Sequence, residues 1–118
     1  MSADQTRQVM SAYFEALETG HFARYFNEDV TWTTVASDTQ VRGPDAVEAL
    51  INGLHDRLKD LQTRQLVIGE DAAYIEGTAA GSNGDGRIPY CVAYDIVGGR
   101  IGAMRAYGDL AESTLSTR

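Results

Sequence analysis

The chain has 118 residues, 43% of them hydrophobic, and a formal net charge of −7. That length suits one domain with a single core, expected to span 1–118. An acidic chain with no basic stripe argues against nucleic acid and anionic membrane as partners, and no apolar run is long enough to cross a bilayer. Ser2-Ala3-Asp4 can cap a helix whose apolar face is Val9, Met10, Tyr13, Phe14 and Leu17, with Gly20 as its stop. Phe22, Tyr25 and Phe26 read as a short second helix, Asn27-Glu28-Asp29 as a turn, and Val30 to Val35 as a strand carrying Trp32 and Thr34 on one face. A polar loop at Ser37-Asp38 leads to a short return strand, Thr39 to Arg42.

Gly43-Pro44-Asp45 starts the longest predicted helix, since proline fits a first turn where its missing N–H has no partner anyway. Its apolar stripe is Val47, Leu50, Ile51, Leu54, Leu58 and Leu61. Strands follow at Gln62 to Glu70 and Ala72 to Ala80, then a flexible loop, Gly81 to Gly86, which lacks the Lys-Ser/Thr of a phosphate loop. Ile88 to Asp109 forms a hairpin around Gly98-Gly99, with β-branched and aromatic residues alternating before the glycines. A two-residue turn would set Ile96 opposite Ile101 and Tyr90 opposite Tyr107. A three-residue turn with a bulge at Gly99 would set Val92 opposite Met104 and Tyr90 opposite Ala106. Leu110 to Arg118 reads as a polar tail.

Helices early and an antiparallel run late indicate an α+β fold, a curved antiparallel sheet wrapped on the N-terminal helices to leave a cone-shaped pocket. Cys91 is the only cysteine, so no internal disulfide can form, and the first residues carry no signal-peptide apolar stretch; a cytoplasmic location is the expectation. Two histidines, one cysteine and scattered acids show no metal-ligand spacing, so no metal is expected.

Four stretches carry a family likeness: Ala-Leu-Glu-Thr-Gly at 16–20, Asp-Val-Thr-Trp at 29–32, Arg-Gly-Pro-Asp-Ala-Val at 42–47, and the closing Gly-Arg-Ile…Tyr-Gly-Asp. With the order of elements, they resemble the nuclear transport factor 2-like superfamily, in its SnoaL-like and ketosteroid-isomerase-like branch. The resemblance implies a cone of a curved sheet and three helices, often dimeric through the outer sheet face, and it favours the bulged register. Tyr90, Val92, Tyr94 and Met104 would then face the pocket, joined by Trp32 and Thr34 from the first strand and Leu54 from the long helix. Cys91, Ala93, Ala103, Arg105 and Tyr107 would form an outer, homodimerising face.

Residue by residue, the resemblance implies a mixed site. Tyr13 falls where ketosteroid isomerases place the tyrosine that donates to the dienolate oxygen. Their general-base Asp falls at Thr34 and their protonated Asp at Val92, so two of three parts are missing. Limonene epoxide hydrolases use an Asp-Arg-Asp set; Asp109 matches its last member, while the others fall near Glu76 and Thr78. SnoaL-type cyclases use an Asp near the end of the last strand, again Asp109.

Each candidate has a plainer reading beside the chemical one. Tyr13 on an apolar helix face is either an oxyanion donor or a core phenol with a satisfied hydroxyl. Asp109 is either a pocket acid or a strand-end carboxylate bonded to backbone. His55, one turn after Ile51, is either a base at the pocket rim or a helix-surface residue. Glu76 is either a pocket carboxylate or, the favoured reading, an outer-face residue paired with Arg87, Arg100 or Arg105. The sequence therefore supports two classes of function. One is a small cofactor-free enzyme using acid–base chemistry on an apolar, ring-containing molecule (isomerase, cyclase or hydratase), with Tyr13 and Asp109 or His55 catalytic. The other is a non-catalytic small-molecule-binding or dimerisation module of the same fold.

Overall fold

The computed structural model describes residues 2–80 and 86–108. Ser2 caps helix α1 (Ala3–Leu17) in a reciprocal box with Gln5: the Gln5 N–H donates to the Ser2 hydroxyl, and the Ser2 N–H to the Gln5 side chain. Gly20, with φ +77°, turns the chain out of α1. A single 3-10 turn (Ala23–Tyr25) then leads into strand β1 (Phe26–Thr34). The predicted short helix is thus one 3-10 turn, and Phe26 and the predicted Asn27–Asp29 turn belong to β1. The ladder register shifts between Phe26 and Thr31, so the turn-prone residues sit in an irregular stretch of strand.

Strand β2 (Thr39–Arg42) pairs antiparallel with β1, and helix α2 runs Pro44–Arg57. α2 is shorter than its apolar stripe, because Leu58 is already extended (φ −100°, ψ 135°) and strand β3 starts at Lys59. α1, at 15 residues, is longer than α2, at 14. Strands β3 (Lys59–Ile68), β4 (Ala72–Ala80), β5 (Arg87–Val97) and β6 (Arg100–Gly108) form an antiparallel meander. The six-stranded sheet has the order β2-β1-β6-β5-β4-β3. It is mixed rather than wholly antiparallel: β1 lies parallel to β6, which joins the β1–β2 pair to the four-stranded meander.

The hairpin takes neither of the two registers weighed from sequence. Gly98 (φ +59°) and Gly99 (φ +82°) both occupy positive φ, as a type I′ two-residue turn requires, and Val97 opposes Arg100. The register then shifts between Ile96 and Asp95, with Gly102 as the extra residue on β6. A Cβ on Gly102 would come 2.9 Å from Val97 Cγ2 and 3.2 Å from Asn27 Nδ2, so a side chain there would have to displace both neighbours. Past it, Tyr94 opposes Met104 and Tyr90 opposes Gly108. The bulge restores the facing that a three-residue loop would have produced: Tyr90, Val92, Tyr94 and Met104 share the concave face.

α1 and α2 pack on that face. Two polar side chains of α2 pin the connection ahead of β1. Glu48 accepts the backbone N–H groups of Phe22 and Ala23 at 2.8 and 2.9 Å, and Asn52 donates to the Gly20 carbonyl at 3.0 Å. Phe22 is thereby seated in an aromatic cluster with Tyr13 and Phe26, all three buried. At the far end of α1 the buried Thr6 hydroxyl donates to the Glu70 carbonyl. No helix among the described residues is long and apolar enough to cross a membrane.

On the outer face, Arg105 makes a bidentate pair with Asp95 (2.7 and 3.3 Å), and Arg87 pairs with Asp60 at 2.9 Å. Two of the three arginines expected to hold Glu76 are therefore engaged by other acids. Glu76 does lie on the outer face, opposite Cys91. The 81–85 part of the predicted loop, Asp109 and the tail after it lie outside the described residues.

Candidate functional site

The space between the concave face and the helices is a cavity of about 550 Å³. Its deep wall is aromatic: Tyr13 and Phe14 from α1, Tyr94 from β5 and Trp32 from β1. The rings of Tyr13, Phe14 and Tyr94 pack pairwise with centroids 5.5 to 6.1 Å apart, at tilted or edge-on angles. The Trp32 indole donates to the Thr34 hydroxyl at 3.2 Å, which fixes its orientation. The helical wall comes from Ile51, Leu54 and His55 of α2 and from Leu58. The open side is made by Leu61, Thr63 and Leu66 of β3, with Leu17 and Glu18 facing them from the end of α1.

Seven of the ten residues singled out from sequence line this one cavity: Tyr13, Trp32, Leu54, His55, Tyr90, Val92 and Tyr94. Two lie elsewhere. Met104 is fully buried on the concave face between Trp32 and Tyr94, and does not reach the cavity. Thr34 is half-buried and acts through its bond to Trp32. Asp109 is outside the described residues. The sequence does not reveal that Leu58 and Leu61 belong to the cavity beyond the helix, because they continue its apolar stripe, and it gives no signal that Thr63 and Leu66 of β3 join them. The apolarity of Leu58 and Leu61 serves the cavity beyond the helix end, where Leu58 is already extended.

The titratable groups are shifted by burial. Burial pushes the Tyr13 phenol far above its ordinary pKa. Tyr94 is raised by burial first and then by the neighbouring Tyr13 and Tyr90 phenols. Tyr90 is raised by burial, with a hydrogen bond to Thr63 and the charge of Arg87 pulling it back. His55 is lowered by burial, opposed by the adjacent Asp56 carboxylate, so at neutral pH it carries an unprotonated ring nitrogen able to accept a proton. Among the described residues, the carboxylate lining the cavity is that of Glu18, which is exposed at the rim. The site thus combines neutral phenols and a neutral imidazole inside apolar walls.

The family model of the SnoaL-like domain matches residues 10–104. The chain belongs to the SnoaL-like domain family. No curated protein matches it. Several solved structures share the fold of this SnoaL-like domain at low identity. A steroid delta-isomerase from Pseudomonas aeruginosa superposes with a TM-score of 0.80 at 10% identity, covering 95% of this chain and 87% of that one. An NTF2-like protein from Burkholderia xenovorans LB400 gives 0.77 at 17% identity, covering 100% and 99%. A de novo designed protein with a curved β-sheet gives 0.78 at 17% identity over the whole of both chains. At these identities the likeness concerns the fold.

Proposed function

We propose that this SnoaL-like domain binds an apolar, ring-containing small molecule in the cone and acts on it by cofactor-free acid–base chemistry. One observation carries the reading: Tyr13 and His55, a neutral phenol and a neutral imidazole, line the same largely apolar cavity. In such a site His55 takes a proton from the carbon next to a substrate carbonyl. The electron pair moves onto the carbonyl oxygen, which accepts a hydrogen bond from the Tyr13 hydroxyl. Returning the proton at another carbon completes an isomerisation; attack of the enolate carbon on a second carbonyl of the same molecule is an aldol cyclisation. Asp109 remains a further acid for this scheme, by its likeness to the cyclase position.

Deuterium exchange into cyclic ketones and enones, followed by NMR, tests the chemistry without knowledge of the natural substrate. His55→Gln should abolish enzyme-dependent exchange while retaining ligand binding. Tyr13→Phe should slow exchange by about tenfold to several hundredfold, the range for a lost oxyanion donor. Binding without exchange in the wild type would favour the second reading, a non-catalytic binding module. That reading is supported by the loss of both isomerase acids, which stand here as Thr34 and Val92.

We also propose that the outer sheet face pairs with a second copy. Val67 and Tyr74 are cross-strand neighbours there, and they and Tyr107 are 48%, 46% and 40% exposed. Light scattering at micromolar concentration should give a dimeric mass, and Tyr74→Glu should halve it; a monomeric wild type would overturn the proposal.

A further inference from the structure

The concave face is ordered in rows across the strands. Leu66, Ile75 and Val92 oppose one another in a wholly apolar row. One step along β5, toward the hairpin turn, stands Tyr94, packed against Tyr13 with ring centroids 6.0 Å apart. One step the other way, Thr63, Gly77 and Tyr90 form the next row. Tyr90 and Tyr94 are four residues apart on one extended strand, so their Cα atoms are separated by about 13 Å. Phenols therefore stand on either side of an apolar strip.

The outer of these rows is built around a missing side chain. A Cβ on Gly77 would lie 2.9 Å from the Tyr90 hydroxyl and 2.3 Å from the Gln62 carbonyl. The bare backbone of Gly77 lets the Tyr90 ring lie across β4, where its hydroxyl meets Thr63 on β3. On its other side Tyr90 faces Gly108. A phenylalanine would line an apolar wall as well; the glycine and the threonine serve the hydroxyl. A phenol oxygen bonded by one donor keeps its own proton to give, so a second partner can bind there.

We propose that the cavity has two polar stations and takes a ligand with an oxygen function at each end of an apolar ring framework. Tyr13 and Tyr94 receive the deep oxygen, and Tyr90, held by Thr63, receives the outer one. The inference rests on the ligand pocket proposed above and adds the substrate class: a two-ended ketone or phenol rather than a hydrocarbon with one oxygen.

Titration calorimetry with p,p′-dihydroxybiphenyl and p-hydroxybiphenyl tests it. The wild type should bind the diol more tightly than the mono-ol by about five- to tenfold, one neutral hydrogen bond. Tyr90→Phe should bring the diol down to the mono-ol and leave the mono-ol unchanged, since its hydroxyl uses the deep station. Thr63→Val, an exposed edge-strand change that leaves the core intact, should weaken the diol selectively by a smaller factor. Tyr13→Phe should weaken both compounds. Equal binding of the two compounds by the wild type overturns the two-station inference alone. So does a loss in Tyr90→Phe that falls on both compounds alike. Binding of neither compound overturns the pocket reading and this inference with it.

Discussion

Tyr94 and Leu61 line the same cavity, yet Tyr94 is 5% exposed and Leu61 44%. The difference follows from what lies behind each. Tyr94 has α1 in front of it and β6 beside it, in a wall of interlocked rings. Leu61 is on β3, an edge strand with register shifts between Lys59 and Gln62 and between Thr63 and Gln65. Packing cannot fix such a strand, and a polar clamp does so instead. Arg87 donates to the Asp60 carboxylate (2.9 Å), the Asp60 carbonyl (2.5 Å), the Thr78 hydroxyl (2.8 Å) and the Thr78 carbonyl (3.0 Å). The deep wall of the cone is thus positioned by apolar burial and the rim by hydrogen bonds in contact with water. Hydrophobic packing tolerates salt; an exposed ion pair does not.

Four experiments press on that contrast, and the largest effect belongs to the deep wall. Phe22→Ala empties a fully buried site between Tyr13 and Phe26, and should cost about 4 kcal/mol in urea unfolding. Gly77→Ala, near the rim, should cost about 2 kcal/mol, because its methyl meets the Gln62 backbone and the Tyr90 phenol. It should also displace Tyr90, which near-ultraviolet circular dichroism would register. Arg87→Ala should cost at most about 1 kcal/mol, since the pair is exposed. Its signature is local: amide exchange should accelerate in β3 and at Thr78 while the α1 core stays protected, and salt should imitate the mutation in the wild type.

The smallest effect concerns pH. His55 has its folded-state pKa lowered by burial, so below the ordinary histidine value the unfolded chain binds more protons than the folded one. Stability present above that value should fall as pH drops through it and toward the folded pKa. Thermal unfolding from pH 7 downward should show the wild type losing ground relative to His55→Gln. A pH-independent difference between the two would place His55 in free solvent.

The fold was largely legible because its signals are local. The Thr39–Arg42 and Ala72–Ala80 strands have the bounds read from alternation, and Gly43-Pro44 marks the start of α2. What the sequence concealed were events with no strong local mark. The end of α2 carries neither glycine nor proline, and its apolar stripe continues through Leu58 and Leu61 because the same cavity lies beyond it. Asn27 and Asp29 favour turns, and they lie in an irregular stretch of β1 between its β6 pairings at Phe26 and Thr31. The Gly102 bulge could have been suspected from a glycine inside a strand pattern, and it decided which side chains reach the cone. Within the site, Tyr13, Tyr90, Tyr94 and His55 were all foreseen as candidates; the service of Gly77 and Thr63 to Tyr90 depends on contacts across three strands.

The parallel pairing of β1 with β6 also bears on how the chain is made. Trp32 and Met104 are ladder neighbours although β1 is the first and β6 the last strand of the described residues. Until β6 leaves the ribosome, β1 and β2 have no sheet to join, and the helices have only part of a concave face to cover. The meander can assemble hairpin by hairpin, but the N-terminal third waits, with Phe22, Phe26 and Trp32 exposed. Such non-local closure slows folding and lengthens the window for aggregation. A ribosome-stalled chain ending before Arg100 should therefore be cut readily by protease within β1, and the full chain released into solution should not.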